Sequence, residues 1–329
     1  MVLLFALLIS GTLNAKITNY FGAYGNIGEW SLLPTNSAYK PSLGVAGGGG
    51  AVYEMQIGKN YGSTQFLLQV GLGLSGGTTS FSQSSTSRAE LKDQWDQDPF
   101  STPKTNIDFI YEARDRHDKY TDLALQIPIM VGLQHKRFYA LAGLKLYPHV
   151  LTKSYSDAIL TTYGKSAYFD EMRNQPEYQF FTDIPIESTI KTSLNFDMDV
   201  SFEMGFRLGF VSDATGFDVP KSKIEYRLAA FFDYGLLDIR STNIGEALIT
   251  PDEYSIDLTG KTNPMIDNLK MNDIISTKGF ADKVNNLIVG LKFTILFQLP
   301  EKGQCILCHD NYLPSIIRPT SRRGMQYEE

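Results

Sequence analysis

Leu194-Asn-Phe-Asp-Met-Asp-Val-Ser-Phe-Glu-Met-Gly-Phe-Arg-Leu-Gly-Phe210 is the stretch that decides the fold. One set of alternate residues, Leu194, Phe196, Met198, Val200, Phe202, Met204, Phe206, Leu208 and Phe210, is apolar throughout. The set between them, Asn195, Asp197, Asp199, Ser201, Glu203, Gly205, Arg207 and Gly209, is polar or glycine without exception. A helix would scatter those charges around its circumference. A period of two over 17 residues predicts a strand with one apolar and one polar face. Soluble strands usually stop at about 5–6 residues. This one is too long for that class.

The same period recurs along the chain. Leu123, Leu125, Ile127, Ile129, Val131 and Leu133 form one stripe, and Phe66, Leu68, Val70, Leu72 and Leu74 another. The last stripe is Leu287, Val289, Leu291, Phe293, Ile295, Phe297 and Leu299. Residues 224–236 and 43–57 fit with smaller side chains, residues 138–147 fit with an ambiguous apolar face, and residues 17–27 form the weakest stripe. Eight strands result. The gaps between them, 28–41, 58–64, 78–119, 135–136, 150–188, 212–222 and 241–285, alternate long and short. A membrane barrel has short turns at its periplasmic end and long loops outside, and an even strand count returns both ends to one side. A soluble sheet with these stripes outward would expose a continuous apolar belt. The expected fold is all-β, an eight-stranded antiparallel up-and-down transmembrane β-barrel with long external loops.

Composition agrees. The 329 residues carry 28 Gly, 20 Phe, 18 Tyr and 2 Trp, the pairing of turns and aromatics typical of barrels. A mean hydropathy of −0.16 excludes a polytopic helical membrane protein, and 43% apolar residues exclude wholesale disorder. A formal charge of −6 gives no reason to expect a nucleic-acid partner. Residues 1–15 read as a secretory signal peptide, with an apolar run from Val2 to Ile9 and a small residue, Ala15, before the cut. That run is too short to span a bilayer as a helix. The expected organisation is a signal at 1–15, a barrel at 16–299 and a periplasmic tail at 300–329.

Leu125-Gln-Ile-Pro-Ile-Met-Val-Gly132 followed by Arg137-Phe-Tyr-Ala-Leu-Ala-Gly-Leu-Lys145 resembles the central hairpin of small Bacteroidetes outer-membrane barrels, the PorT-like or OmpA-like group. The opening residues 18–25 and the closing residues 289–297 are similar to that group as well. The resemblance covers the strands, roughly half the chain, and implies architecture without catalytic residues.

Glu54, Lys145, Asp197, Asp199, Glu203, Arg207, Glu225, Arg227, Asp233 and Lys292 fall on the inward set. An eight-stranded ring is just wide enough for its side chains to fill it, so such charges must pair. A salt-bridged, closed lumen is expected, with a narrow proton path as the sharper alternative. A solute pore needs more strands.

Four other groupings offer chemistry. Cys305-Ile-Leu-Cys308-His309 has the spacing of a c-type haem attachment, but a Pro-containing tail offers no apolar pocket for haem. A two-Cys metal half-site would need a partner's ligands. A disulfide involving Cys305 and Cys308 is the leading reading, in an oxidising periplasm. His149 with Ser154 and Asp157, and His117 beside Asp115 and Asp118, carry the residue types of a hydrolase without a recognisable spacing. Asp93, Asp96 and Asp98 offer hard oxygens without a calcium-loop pattern. The expected external loops hold Trp30, Trp95, Phe100, Phe109, Tyr111, Tyr163, Tyr168, Phe169, Tyr178, Phe180, Phe181 and Tyr254. They either fold over the mouth or form a docking surface. No cofactor and no catalysis are expected. The functional expectation is an anchoring or interaction subunit of an envelope complex, set in outer-membrane lipid. It would meet an envelope protein partner through its loops or tail. A transport or secretion component, or a lipid-modifying barrel enzyme, is the alternative.

Overall fold

The computed structural model describes residues 16–35, 40–58, 64–83, 86–95, 106–166, 170–174, 180–192, 194–212, 218–220, 223–240, 249–251, 269–273, 275 and 281–300. The expected signal peptide and all but the first residue of the expected tail, Cys305 and Cys308 included, lie outside them. The strands are β1 (Lys16–Thr35), β2 (Lys40–Gly58), β3 (Thr64–Gln83), β4 (Ser87–Trp95), β5 (Asn106–His135), β6 (Phe138–Tyr147), β7 (His149–Lys165) and β8 (Ile184–Thr192). After them come β9 (Asp197–Leu208), β10 (Phe210–Ser212), β11 (Asp218–Pro220), β12 (Ile224–Gly235), β13 (Ile249–Pro251), β14 (Leu269–Met271) and β15 (Lys283–Gln298). No described helix is long and apolar enough to cross a membrane, which says nothing of strands.

The chain is all-β and antiparallel. Eight strands close on themselves in the order β1-β2-β3-β5-β6-β9-β12-β15, with β15 returning to β1. They are the eight strands expected from the sequence. The alternation dictates which face turns in. In β9, Asp197, Asp199, Ser201, Glu203 and Arg207 are buried, whereas Val200, Phe202, Met204, Phe206 and Leu208 are exposed. The ambiguous β6 resolves the same way: Tyr139, Leu141, Lys145 and Tyr147 face in, and Phe138 and Leu144 face out. Leu291 (56% exposed), Phe293, Phe232, Leu72 and Ile129 continue an apolar outer belt around the ring. The charges of the ring strands face in, and the outward face is apolar.

Three boundaries differ from expectation. The expected first loop at 28–41 is mostly ladder, since β1 runs to Thr35 and β2 starts at Lys40. Trp30, expected in that loop, is buried inside the ring. Leu194 precedes β9, and it is buried rather than outward, in one apolar cluster with Trp30, Phe81 and Ile239. At the other end Gly209 takes φ +81°, a left-handed backbone that glycine adopts freely, and starts the small β10–β11 hairpin.

The largest difference lies beyond the ring. Residues 78–119 and 150–188, expected as loops, hold the end of β3, β4, the first half of β5, and β7 and β8. Here β4 takes over from β3 on one side of β5, β7 takes over from β6 on the other, and β8 adds an outer strand. Only Pro148 separates β6 from β7, and the Pro148 carbonyl still accepts a bond from the Leu125 N–H at 3.0 Å. Ile107, Phe109, Tyr111, Ala113, Ala158, Leu160 and Phe180 form the core of this projecting sheet, with Met172, Ile184 and Ile186 packed against it. The outward positions of β5 turn polar above Leu123, at Lys119 and Thr121. The 16 residues of β5 before Asp122 extend roughly 50 Å at about 3.3 Å per residue.

Candidate functional site

All ten inward charges are buried within the ring. Their positions follow from alternation, and cross-ring neighbours set their pairing. Nearest the short-turn end, Arg207 Nε donates to Glu225 Oε1 at 2.7 Å, and its Nη2 donates to the other carboxylate oxygen. Arg227 Nε donates to the same Glu225 Oε1 at 2.5 Å. Its other two nitrogens grip Glu54 in a fork at 2.7 and 2.5 Å. Glu54 also accepts from Gln56 and Gln69 at 2.9 and 3.0 Å. The Arg227 guanidinium lies 4.6 Å from the centre of the Tyr139 ring. Four charges thus form one alternating chain, Arg207–Glu225–Arg227–Glu54. Forked pairing satisfies guanidinium where water is scarce.

Further along, Lys292 Nζ donates to Glu203 at 2.7 Å, and the Tyr139 hydroxyl donates to the same carboxylate at 2.7 Å. Lys145 Nζ donates to both oxygens of Asp233, at 2.8 and 2.7 Å, and Ser201 and Tyr147 complete that carboxylate. Tyr24 reaches Gln126 at 2.8 Å, in room left by the absent side chain of Gly73. Six acids meet four bases, so two acids remain. They are Asp197 and Asp199, neither of which has an ion pair among the described residues. Asp199 accepts one bond from Asn286 at 3.2 Å, and Asp197 accepts from the Met198 N–H.

The outer end is filled as well. Trp30, Leu32, Ala46, Phe81, Tyr120, Leu194, Phe231, Ile239, Ile275, Ala281, Val284 and Ile288 make one apolar cluster from β1, β2, β3, β5, β12, β15 and the segments joining them. Asn272, Asp273 and Ile275 are tied down by polar contacts. Arg116 bonds Asp118 at 2.8 Å and reaches the Asn272 carbonyl. Tyr120 and Thr192 donate to Asp273 at 3.2 and 2.7 Å. Arg116, Asp118, Asp122 and Asp273 are buried charges that the sequence reading missed. The first three continue the inward set of β5 below residue 124, so extending that period would have found them.

The grouping of His149 with Ser154 and Asp157 is not assembled. Ser154 faces in and is fully buried, whereas Asp157 sits on the other face of β7. The acid that His149 meets is Asp122, with Nδ1 2.8 Å from Oδ2. A carboxylate only accepts, so Nδ1 carries the proton. Thr152 fills the other carboxylate oxygen at 2.6 Å. Nor does β5 collect His117 with Asp115 and Asp118: Asp118 turns inward to Arg116, and His117 occupies the opposite face of the strand. Asp96 and Asp98 lie outside the described residues, as does the side chain of Asp93.

Of the expected loop aromatics, Phe109, Tyr111, Tyr163 and Phe180 are buried in the projecting sheet. Phe100, Tyr168, Phe169, Tyr178 and Tyr254 lie outside the described residues. Tyr163 donates to Glu112 at 2.7 Å and lies under the Arg173 guanidinium at 4.6 Å. Burial first, and then that bond to a carboxylate, push its phenol up to about 12. The Arg173 hydrogen bond holds the exposed Glu171 carboxyl below its usual range.

No protein-family model matches the chain, and no curated protein matches it at a significant level.

Proposed function

We propose that the protein is a non-enzymatic outer-membrane β-barrel of the small Bacteroidetes type. Its lumen is closed by salt bridges, and it serves as an anchoring or interaction subunit of an envelope complex. The observation that carries this reading is the inversion of the ring: charges inside, eight of the ten in ion pairs, and an apolar belt outside. Water would penalise that belt, whereas lipid accepts it. The two filled layers of the interior support a role other than solute passage. The projecting sheet, on the side away from the short turns, offers the surface for an envelope partner, and the tail from residue 300 offers a second contact in the periplasm.

Cell fractionation with electrophoresis of unheated and boiled samples tests the membrane assignment. A folded barrel is expected in the outer-membrane fraction with heat-dependent mobility. Recovery as a soluble protein would overturn the assignment. Planar-bilayer recording of the purified protein is expected to show no porin-scale conductance. Pull-downs with the intact chain and with residues 303–329 deleted are expected to differ by one envelope partner while the barrel stays folded.

A further inference from the structure

We propose that Lys119 and Lys153, on the outward face where the projecting sheet leaves the ring, hold the phosphate monoester headgroup of an anionic membrane lipid. The proposal rests on the lipid reading of the belt and assigns a ligand to the belt's edge away from the short turns.

The height of the belt places these lysines. On β5 the outward residues Leu133, Val131, Ile129, Ile127, Leu125 and Leu123 are all apolar. From Leu133 to Leu123 the strand advances about 33 Å at about 3.3 Å per residue and, tilted by about 45°, rises roughly 23 Å. The apolar band of a membrane barrel is about 25 Å tall. The next outward positions are Thr121 and Lys119. On β7, Leu151 stands opposite Leu123, Lys153 opposite Thr121 and Tyr155 opposite Lys119. Both strands thus change from apolar to basic at the height where headgroups begin.

Thr121, Lys119, Lys153 and Tyr155 are all exposed. The lysines occupy one diagonal of this four-residue patch, about 7–8 Å apart, and the hydroxyls occupy the other. In the ladder β8 places Lys191 opposite Lys153, and β3 places Thr78 opposite Thr121 and Ser80 opposite Lys119. Among the described residues neither Lys119 nor Lys153 has an ion pair. Asp157 and Glu187 stand opposite each other further from the belt, and the Tyr155 hydroxyl donates to Glu187.

A lysine stem lies along apolar surface while its ammonium stays in the polar zone, and cations beside a bilayer attract anionic lipid. Two ammoniums flanked by hydroxyls match a phosphate monoester, which carries close to two charges and three acceptor oxygens. A phosphocholine brings its own cation, and a carboxylate offers one charge and two oxygens. An acidic protein segment would meet the same lysines but would end at the belt. A lipid continues past them, its chains lying on Leu123 and Leu151, which are 39% and 50% exposed. That continuity selects the lipid.

The purified protein in non-ionic detergent is titrated with phosphatidic acid, phosphatidylcholine and inorganic phosphate, and bound molecules are counted by native mass spectrometry. Phosphatidic acid is expected to bind at least about tenfold more tightly than phosphatidylcholine, without displacement by equimolar inorganic phosphate. The double variant Lys119→Gln with Lys153→Gln should lose that preference, and Lys119→Arg with Lys153→Arg should keep it. No preference in the parent, full preference in the glutamine variant, or displacement by inorganic phosphate would overturn the proposal. A glutamine variant that keeps the lipid but loses the envelope partner from pull-downs would overturn it too, since the patch would then serve a protein. Insertion into phosphatidylcholine vesicles, run in parallel, separates this site from the belt. A parent that inserts but shows no headgroup preference refutes the site alone, whereas a parent that stays soluble refutes the belt and the site with it.

Discussion

Replacing Arg227 by methionine puts the lumen reading at most risk. Arg227 is 1% exposed and makes three charge-assisted bonds, one to Glu225 and two to Glu54. Methionine keeps much of the volume, so little of the effect comes from a cavity. Glu225 would retain Arg207, but among the described residues Glu54 would keep the amides of Gln56 and Gln69 against a full negative charge. Removing one partner of a buried pair typically costs about 3–5 kcal/mol, because the other charge is left without compensation. That corresponds to roughly a hundredfold to several-thousandfold in the folded-to-unfolded ratio. The cost lies in the stranded carboxylate, so neutralising it should recover most of the loss. The double variant Arg227→Met with Glu54→Gln is therefore expected to regain at least half of it. Urea unfolding in lipid vesicles, followed by tryptophan fluorescence and by the mobility of unheated samples, measures both changes. If the single variant lies within about 1 kcal/mol of the parent, or the double variant is no better than the single, the charges are not a coupled dry network.

Phe202 lies in the outer belt at 43% exposure, and Phe202→Arg should cost about 2–4 kcal/mol in lipid vesicles. Lys119→Arg, above the belt, should be neutral in the same assay; equal effects at the two sites would remove the case for a lipid-facing belt. Phe180 is fully buried and packs edge-on against Phe109 at 5.4 Å. Phe180→Ala should cost about 3–5 kcal/mol within the projecting sheet. Limited proteolysis should then cut that sheet early while the ring stays intact, and simultaneous loss of both would contradict their separate cores. Tyr163 has a folded-state pKa raised from 10.0 to about 12, so its stabilising contribution is complete below pH 10 and is lost as pH rises through 12. The tyrosinate absorbance missing from Tyr163→Phe should appear only near the upper end of that range.

Much of the ring was legible because hydropathy and strand period coincide there. Asp197, Asp199, Glu203 and Arg207 are found inward because each stands between two apolar outward neighbours. Their partners were not legible. Glu54 and Arg227 are 173 positions apart, and only the closing of the ring brings their strands opposite each other. The projecting sheet was missed where the inward residues of β7 are Thr152, Ser154 and Ser156, small hydroxyls that leave no hydropathy stripe. In β5 the signal is present: Ile107, Phe109, Tyr111 and Ala113 keep a period of two, but Phe109 and Tyr111 taken alone look like loop aromatics. The Asp122–His149 pair was hidden differently. Pro148 and the register shift at Ala124 reset the alternation, so His149 cannot be assigned a face from its neighbours.

β5 passes from the ring into the projecting sheet as one strand, bulged at Asp115 (φ +51°), and this has a mechanical consequence. A pull on the projecting sheet along β5 loads the ladder to β3 and β6 lengthwise, across hydrogen bonds that run perpendicular to the strands. Those bonds share the load in shear instead of opening one after another like a zipper. A tug on the exposed sheet thus reaches the ring through many bonds at once, with no flexible linker to give way first. Whatever grips that sheet is, in mechanical terms, gripping the ring itself.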